Sequence, residues 1–234
     1  MKGIRFWAFW PVAYQPSSLQ ASQPPSLFGL IGRRMTKGQR RKLNRIYFMK
    51  YCSNCGQPVI HRTPPGDDRP RFCCESCGMV HYLNPKLVVG CIPEMEDRIL
   101  LCRRAIEPGY GKWTLPAGYL ENGESVAAGA KRETLEEARA KVEILTPYAL
   151  YNICHVNQIY LMFRARLKDK RFGAGAESLE VKLFGENDIP WEEIAFRVIH
   201  ATLLKYYDDR RLGRFSFHME NISPPNPNPP KTDN

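Results

Sequence analysis

The stretch GYLENGESVAAGAKRETLEEARA, residues 118–140, decides how the rest of the chain is read. Its carboxylates stand at spacings that make sense on a helix. At 100° per residue, Glu133, Glu136 and Glu137 are i, i+3 and i+4 and share one face. Like charges packed that closely repel unless a cation sits among them. Val126, Ala127, Ala130, Thr134 and Ala138 fall on the adjacent face and are expected to pack inward. Gly129, one turn before Glu133, is expected to leave room for a metal and a phosphate. A solvated acidic face on an amphipathic helix is the plainer alternative, and the frame of the motif argues against it.

Gly118, five residues, Glu124, seven residues, then Arg132-Glu133-Thr134-Leu135-Glu136-Glu137 resembles the Nudix box, Gly-x5-Glu-x7-Arg-Glu-U-x-Glu-Glu-x-Gly-U. Thr134 replaces the usual aliphatic residue, and Arg139 stands where the family has glycine. The resemblance extends over residues 52–212 through Asn84-Pro85-Lys86, Gly111-Lys112-Trp113-Thr114-Leu115-Pro116-Ala117-Gly118 and Glu177-Ser178-Leu179-Glu180. These stretches are similar to zinc-ribbon Nudix hydrolases of bacteria and plant chloroplasts. The resemblance implies a Nudix α/β/α sandwich with a mixed sheet, preceded by a small zinc ribbon. It also implies a pyrophosphohydrolase that cleaves a nucleoside diphosphate derivative, with FAD or ADP-ribose favoured and AMP released.

The chain has a net charge of +10 at pH 7, and position explains it. Residues 1–50 carry ten Lys or Arg and no Asp or Glu, so residues 51–234 hold 24 basic and 24 acidic side chains. A neutral body argues against a nucleic-acid partner, and no run of 18 apolar residues is present to span a membrane. The extension, residues 1–50, reads as disordered, as an organelle targeting segment, or as sequence preceding a start at Met49. Localisation therefore stands between cytoplasm and a plastid or other organelle.

Cys52-x-x-Cys55 and Cys74-x-x-Cys77 give four thiolates at the spacing of a tetrahedral structural Zn²⁺ site over residues 51–84. Gly56 and Gly78 follow each knuckle's second cysteine and let the backbone turn toward the sulfurs. His61 and His81 have no vacant position to fill. Cys73 ends a short strand, and Cys91, Cys102 and Cys154 read as buried small hydrophobes.

From residue 85 to 212 the pattern is α/β. Strands are expected at Leu87–Ile92, ended by Pro93, and at Arg98–Arg103, Val142–Leu145, Tyr148–Ile153, Ile159–Leu167 and Leu179–Phe184. Helices are expected at Ser125–Arg139 and Glu192–Tyr207, and residues 213–234 read as a proline-rich tail, with Pro224 to Pro230 disordered.

By resemblance Glu133, Glu136 and Glu137, with the Gly118 carbonyl, hold Mg²⁺ or Mn²⁺, and Arg132 orients the carboxylates. Glu136, or an outside carboxylate such as Glu180, is the candidate general base. Trp113 and Tyr119 are candidates to stack on the substrate's ring, and Arg103 and Arg104 to grip phosphate. Tyr151, Phe163 and Trp191 read as core. Residues 141–160 lack the Ser-Gln-Pro-Trp-Pro-Phe-Pro-type motif of NADH pyrophosphatases, and the coenzyme A-type signature is also absent. NADH and (d)NTP hydrolysis, or a degenerate module that only binds nucleotide, are the alternatives. Family members often pair, so a homodimer is an expectation that no stretch of this sequence reports.

Overall fold

The computed structural model describes residues 49–224. The extension before residue 49 and the prolines from residue 225 on lie outside the described residues. Three short strands, β1 (Ile60–Arg62), β2 (Arg71–Cys73) and β3 (Val80–His81), form an antiparallel sheet in the order β1-β2-β3. They carry the cysteine knuckles, and Phe72 and Cys73 are buried on β2.

The second sheet has eight strands. They are β4 (Lys86–Met95), β5 (Arg98–Arg104), β6 (Trp113–Thr114), β7 (Ala117–Tyr119), β8 (Val142–Ile153), β9 (Gln158–Leu167), β10 (Ser178–Phe184) and β11 (His218–Asn221). Six of them run in the order β10-β5-β4-β9-β8-β11, with β6 paired to β5 and β7 to β4. β4–β9 and β8–β11 pair parallel and the others antiparallel, so the sheet is mixed, as expected.

Helix α1 (Val126–Ala138) covers one face and α2 (Arg197–Arg211) the other. Beneath α1, Ala130 and Ala138 pack with Val89, Cys91, Leu100, Phe163 and Ala165. Small residues on the helix and branched ones on the strands bring α1 close to the sheet. Beneath α2, Val198, Ile199, Leu203, Tyr206 and Tyr207 pack with Ile92, Leu101, Tyr148, Tyr151 and Met162. The central strands alternate between these two clusters, which is the period of two that a sheet covered on both faces requires.

Pro93 does not end its strand as expected, and the strands expected at Val142–Leu145 and Tyr148–Ile153 are one strand that includes Pro147. β4 runs through Pro93, and β8 is continuous through Pro147. Cys91 N–H donates to Pro116 O toward β7, so Pro93, two residues on, turns its nitrogen to the same side. The β7 pairing stops at Gly90 and the β5 hairpin begins at Glu94, so the missing donor falls where no partner strand needs it. Pro147 lies between two register shifts in the β8–β9 ladder.

Helix α1 matches the expected span, with Ser125 Oγ capping Ala128 N–H at 3.2 Å. The closing helix starts later than expected, at Arg197, after a 3-10 turn at Trp191–Glu193. The stretch read as tail contributes β11. His218 Nε2 and Asp209 Oδ2 are 2.8 Å apart, and Ser216 N–H and Tyr148 O–H also bond that carboxylate. Burial opposes it, yet these bonds hold Asp209 below the ordinary carboxylate range. Of the four cysteines outside the knuckles, Cys154 departs from expectation: it is exposed, while Cys73, Cys91 and Cys102 are buried. Among the described residues no helix is long and apolar enough to cross a membrane.

At the C-terminus of α1, Arg139 has φ 49° and ψ 25°, the left-handed conformation that favours glycine. Arg139→Gly should raise the free energy of unfolding by about 1 kcal/mol, since a side chain in this conformation costs roughly that much. Urea denaturation checks it, and an unchanged or lower midpoint counts against the strain.

Candidate functional site

The box folds into a turn and a helix that bring its charged positions around one side chain. Arg132 Nε and Nη2 bond both oxygens of Glu124, at 3.1 and 2.7 Å. Its Nη1 reaches Glu133 at 2.7 Å and Glu136 at 3.0 Å, and Nη2 also donates to the Tyr119 carbonyl at 3.0 Å. All five N–H donors of the guanidinium are thereby used. The resemblance implies that Arg132 orients the helix carboxylates but gives Glu124 no role. Glu124 proves to be the bidentate partner, and it also accepts from Glu121 N–H at 2.8 Å, which shapes the loop entering α1. Arg132, with the Glu121 N–H, holds the Glu124 carboxyl below its usual range, while the carboxylates raise the pKa of Arg132.

Two glycines make this packing possible. Gly118 pairs with Val89 and points its Cα at α1, where a β-carbon would fall on the Glu133 carboxylate. Gly129 differs from expectation. It is buried, and a β-carbon there would meet Glu124 Oε1 at 2.7 Å, Leu120 at 2.9 Å and Val89 at 3.0 Å. Its missing side chain therefore lets α1 approach the sheet and Glu124 rather than opening space for a metal.

The three helix carboxylates are not equivalent. Glu136 is 58% exposed. Glu137 is only 7% exposed, and among the described residues its carboxylate accepts one hydrogen bond, from Ala117 N–H at 3.4 Å. Burial, then the charge of Glu133, pushes Glu137 up to about 8, against the Ala117 N–H and Arg104. Burial also raises Glu133, in spite of Arg132. Glu177 adds negative charge to both and so faces the same cluster. Glu180 does not. It projects from β10 with an oxygen 3.8 Å from Arg103 Nη1.

The substrate-contact candidates separate. Trp113 is 6% exposed and packs edge-to-face on Phe184 at 4.8 Å, so it belongs to the core and cannot stack on a ligand. It alternates inward because β6 is paired to β5 over the α2-side cluster. Tyr119 is 42% exposed, its hydroxyl accepts from Gln158 at 2.9 Å, and Lys86 Nζ sits 4.8 Å from its ring. Val88 pairs with both Tyr119 and Tyr160, which places the two rings on one face of the sheet. Tyr160 gave no sequence signal, because only the parallel register of β4 with β9 brings it there.

Arg104 faces Glu137 and Tyr160 and lies over the Phe196 ring at 5.0 Å, with Nε bonded to Pro108 O at 2.9 Å. Arg103 is turned away, bonded to Gly111 O at 2.8 Å. Tyr151 and Phe163 are buried as expected, and Trp191 packs against the α2-side core, edge-to-face with His200.

The cysteines form the second centre. The ligand atoms of Cys52, Cys55, Cys74 and Cys77 lie within 4.8 Å of one another. Sulfurs are 3.6 Å apart for Cys52–Cys77 and 3.4 Å for Cys55–Cys74. A tetrahedron with Zn–S near 2.3 Å has edges of about 3.8 Å, so the four thiolates fit Zn²⁺. Gly56 and Gly78 have φ of 74° and 73° and donate to the carbonyls of Cys52 and Cys74, the turn expected of each knuckle. His81 Nε2 lies 3.3 Å from Cys52 Sγ and supports a thiolate from outside the ligand set. The box carboxylates do not converge in this way, since Arg132 draws Glu133 and Glu136 to itself. Their oxygens, with buried Glu137 short of a counter-charge, suit a hard divalent cation such as Mg²⁺.

Comparison with known proteins finds two families along the chain. Residues 50–83 match the zinc-ribbon family described as Nudix N-terminal, and residues 84–207 match the NUDIX domain. A solved NUDIX hydrolase from Nitrosomonas europaea is 56% identical with a TM-score of 0.73, covering 74% of this chain and 99% of that one. The NAD-capped RNA hydrolase NudC of Stutzerimonas stutzeri is 29% identical over 195 residues, 81% of this chain and 65% of that protein. The ADP-ribose pyrophosphatase of Methanocaldococcus jannaschii is 30% identical over 132 residues, 54% of this chain and 75% of that protein.

Two outcomes follow. Metal analysis of purified protein should find one tightly held zinc per chain, and Cys74→Ser should lose it; a zinc-free wild-type protein counts against the site. Without added Mg²⁺ or Mn²⁺, Glu137 has a folded pKa near 8, above the ordinary value of about 4.3. Its burial therefore carries no charge penalty near pH 4 and an increasing one as pH rises through 8. Glu137→Gln should melt higher than the parent at pH 9 and converge with it toward pH 4. Parallel melting curves across that range overturn the assignment.

Proposed function

The chain belongs to the Nudix hydrolase family, and on that premise we propose that it is a divalent-metal-dependent pyrophosphohydrolase of nucleoside diphosphate derivatives, ADP-ribose and FAD favoured. The observation that carries this reading is the array of Glu124, Glu133 and Glu136 held by one arginine beside the buried, poorly compensated Glu137. Such an array has an excess of negative charge, which a polyanionic substrate can approach only with a cation between them.

Mg²⁺ or Mn²⁺, when bound, offsets charge developing on the diphosphate and favours ionisation of water. Glu133, Glu136 and Glu137, with the Gly118 carbonyl, would hold it. A water oxygen attacks one phosphorus, the bond from that phosphorus to the bridging oxygen breaks, and two phosphate monoesters leave, one of them AMP. The proton from water passes to a carboxylate. Glu177 takes the place of Glu180 as the candidate from outside the box, and Glu136 remains the candidate within it. Arg104 faces Glu137 and is the better placed of the two arginines to hold a phosphate. Tyr119 offers an exposed ring for an adenine or flavin, with Tyr160 beside it. Zn²⁺ in a site closed by four thiolates has no open position and is structural.

ADP-ribose is supported by the archaeal pyrophosphatase relative, and NADH is disfavoured by the missing motif in residues 141–160. A second reading, NAD-capped RNA, has the support of the bacterial NudC relative, whose match extends over 81% of this chain. The chain spans about two thirds of that protein's length, and the body it contributes is electrically neutral. A homodimer remains a proposal drawn from the family.

The decisive assay incubates ADP-ribose, FAD, NADH, NAD-capped RNA and dNTPs with Mg²⁺ or Mn²⁺. AMP should appear fastest from ADP-ribose or FAD, and Glu136→Gln should slow turnover by about 100-fold or more without lowering the melting temperature. Full activity in Glu136→Gln sinks the metal assignment, and no product from any substrate leaves a nucleotide-binding module.

A further inference from the structure

Helix α1 ends at Arg139, which takes the left-handed turn where its family has glycine, and the loop at 171–178 bonds its last carbonyls. The last four carbonyls of a helix lack partners within it. Here Gly175 N–H donates to Glu137 O at 2.9 Å and Gly173 N–H to Ala138 O at 2.8 Å. The loop is fastened in its turn. Ser178 N–H donates to Gly175 O at 3.2 Å, and Ala105 N–H on the β5 side donates to Glu177 O at 2.8 Å.

Gly175 and Gly173 differ in a way that can be exploited. Neither has a left-handed φ, so neither needs to be glycine for its conformation. A β-carbon on Gly173 would meet nothing within 4 Å. On Gly175 it would overlap the Glu136 carbonyl oxygen and lie 2.8 Å from the Glu136 carbonyl carbon and 3.1 Å from that of Glu137. Those atoms are helix backbone and cannot swing aside as a side chain can. The space under Gly175 is thus set by the peptide units that carry Glu136 and Glu137, and two residues further on the same loop presents Glu177 to Glu133 and Glu137.

We propose that Gly175 is a positioning residue: its bare backbone braces the last turn of α1 and fixes the distance between the helix carboxylates and Glu177. The cluster is thereby assembled from two chain segments by one contact that admits no side chain. The consequence for catalysis rests on the metal-dependent reading of the cluster, while the brace itself rests on the backbone alone.

Gly175→Ala and the matched Gly173→Ala test it in the full-length, zinc-loaded protein. Calorimetry with Mn²⁺ alone reads the cluster without substrate, and kinetics reads kcat and the Mn²⁺ concentration for half-maximal rate. Gly175→Ala should weaken Mn²⁺ binding and raise that concentration by about 10-fold or more, as loss of an outer support does at other metal sites. Gly173→Ala should stay within about twofold of wild type. Wild-type Mn²⁺ affinity in a folded Gly175→Ala overturns the proposal, as does an equal loss in Gly173→Ala. If Gly175→Ala does not fold, amide exchange in the wild-type protein decides. Protection of the Gly173 and Gly175 amides equal to that of the Arg139 amide supports the brace, and exchange at open-loop rates overturns it. A wild-type protein that binds no Mn²⁺ but keeps these amides protected overturns the catalytic consequence and leaves the brace standing.

Discussion

One guanidinium holds the acidic box together. Arg132 is shared by Glu124, Glu133 and Glu136, and its remaining donor fixes the Tyr119 carbonyl. Without it, the half-buried carboxylates would repel across a few ångströms in a medium that screens poorly. Arg132 does more than neutralise. Its bonds run back across more than two helical turns to the loop at Glu124 and sideways to β7, so helix, entry loop and strand have one relative position. A lysine could supply the charge but not the fork, which is why this position is not simply a cationic one.

The constraint leaves a residue of charge, and its location is informative. Arg132 contacts two of the three helix carboxylates, while the Glu137 carboxylate has a single long bond among the described residues and a pKa pushed up to about 8. The unmet electrostatic demand of the site is therefore concentrated at Glu137, against β7 and facing Arg104 and Glu177. A cation entering there meets one carboxylate not already committed, then must draw Glu133 and Glu136 from Arg132. Affinity and geometry of such a site depend on how firmly the last turn of α1 is held, which ties the chemistry to Arg139 and the loop beyond.

What the sequence could reveal followed from how far apart partners lie along the chain. Arg132 with Glu133 and Glu136 is a spacing of one and four within one helix, so periodicity suffices. The cysteine knuckles were legible for the same reason. Tyr160 was not, because it reaches the site through strand register, and only a loop contact far away in sequence separates Glu177 from Glu180 as the carboxylate facing the cluster. Trp113 was misread since its position beside Gly118 suggests the cleft, whereas β6 pairing turns it into the core. Pro93 reads as a break in the sequence, but a missing donor is costly only where a neighbouring strand would use it, and that is a property of the sheet.

The cysteine cluster and the carboxylate cluster differ in where their order is stored. The four sulfurs converge because Gly56 and Gly78 turn the backbone of each knuckle, leaving only short side chains to place. Glutamates have three rotatable bonds each and must be aimed by other groups. Arg132 aims two of them, Ala117 N–H helps aim the third, and the backbone under Gly175 sets where the turn that carries them sits. A thiolate site can therefore be specified by a short local motif, while a carboxylate site must be specified by the fold around it. That is why the box alone identifies the carboxylates, while the backbone that packs against their helix turn at Gly175 lies outside it.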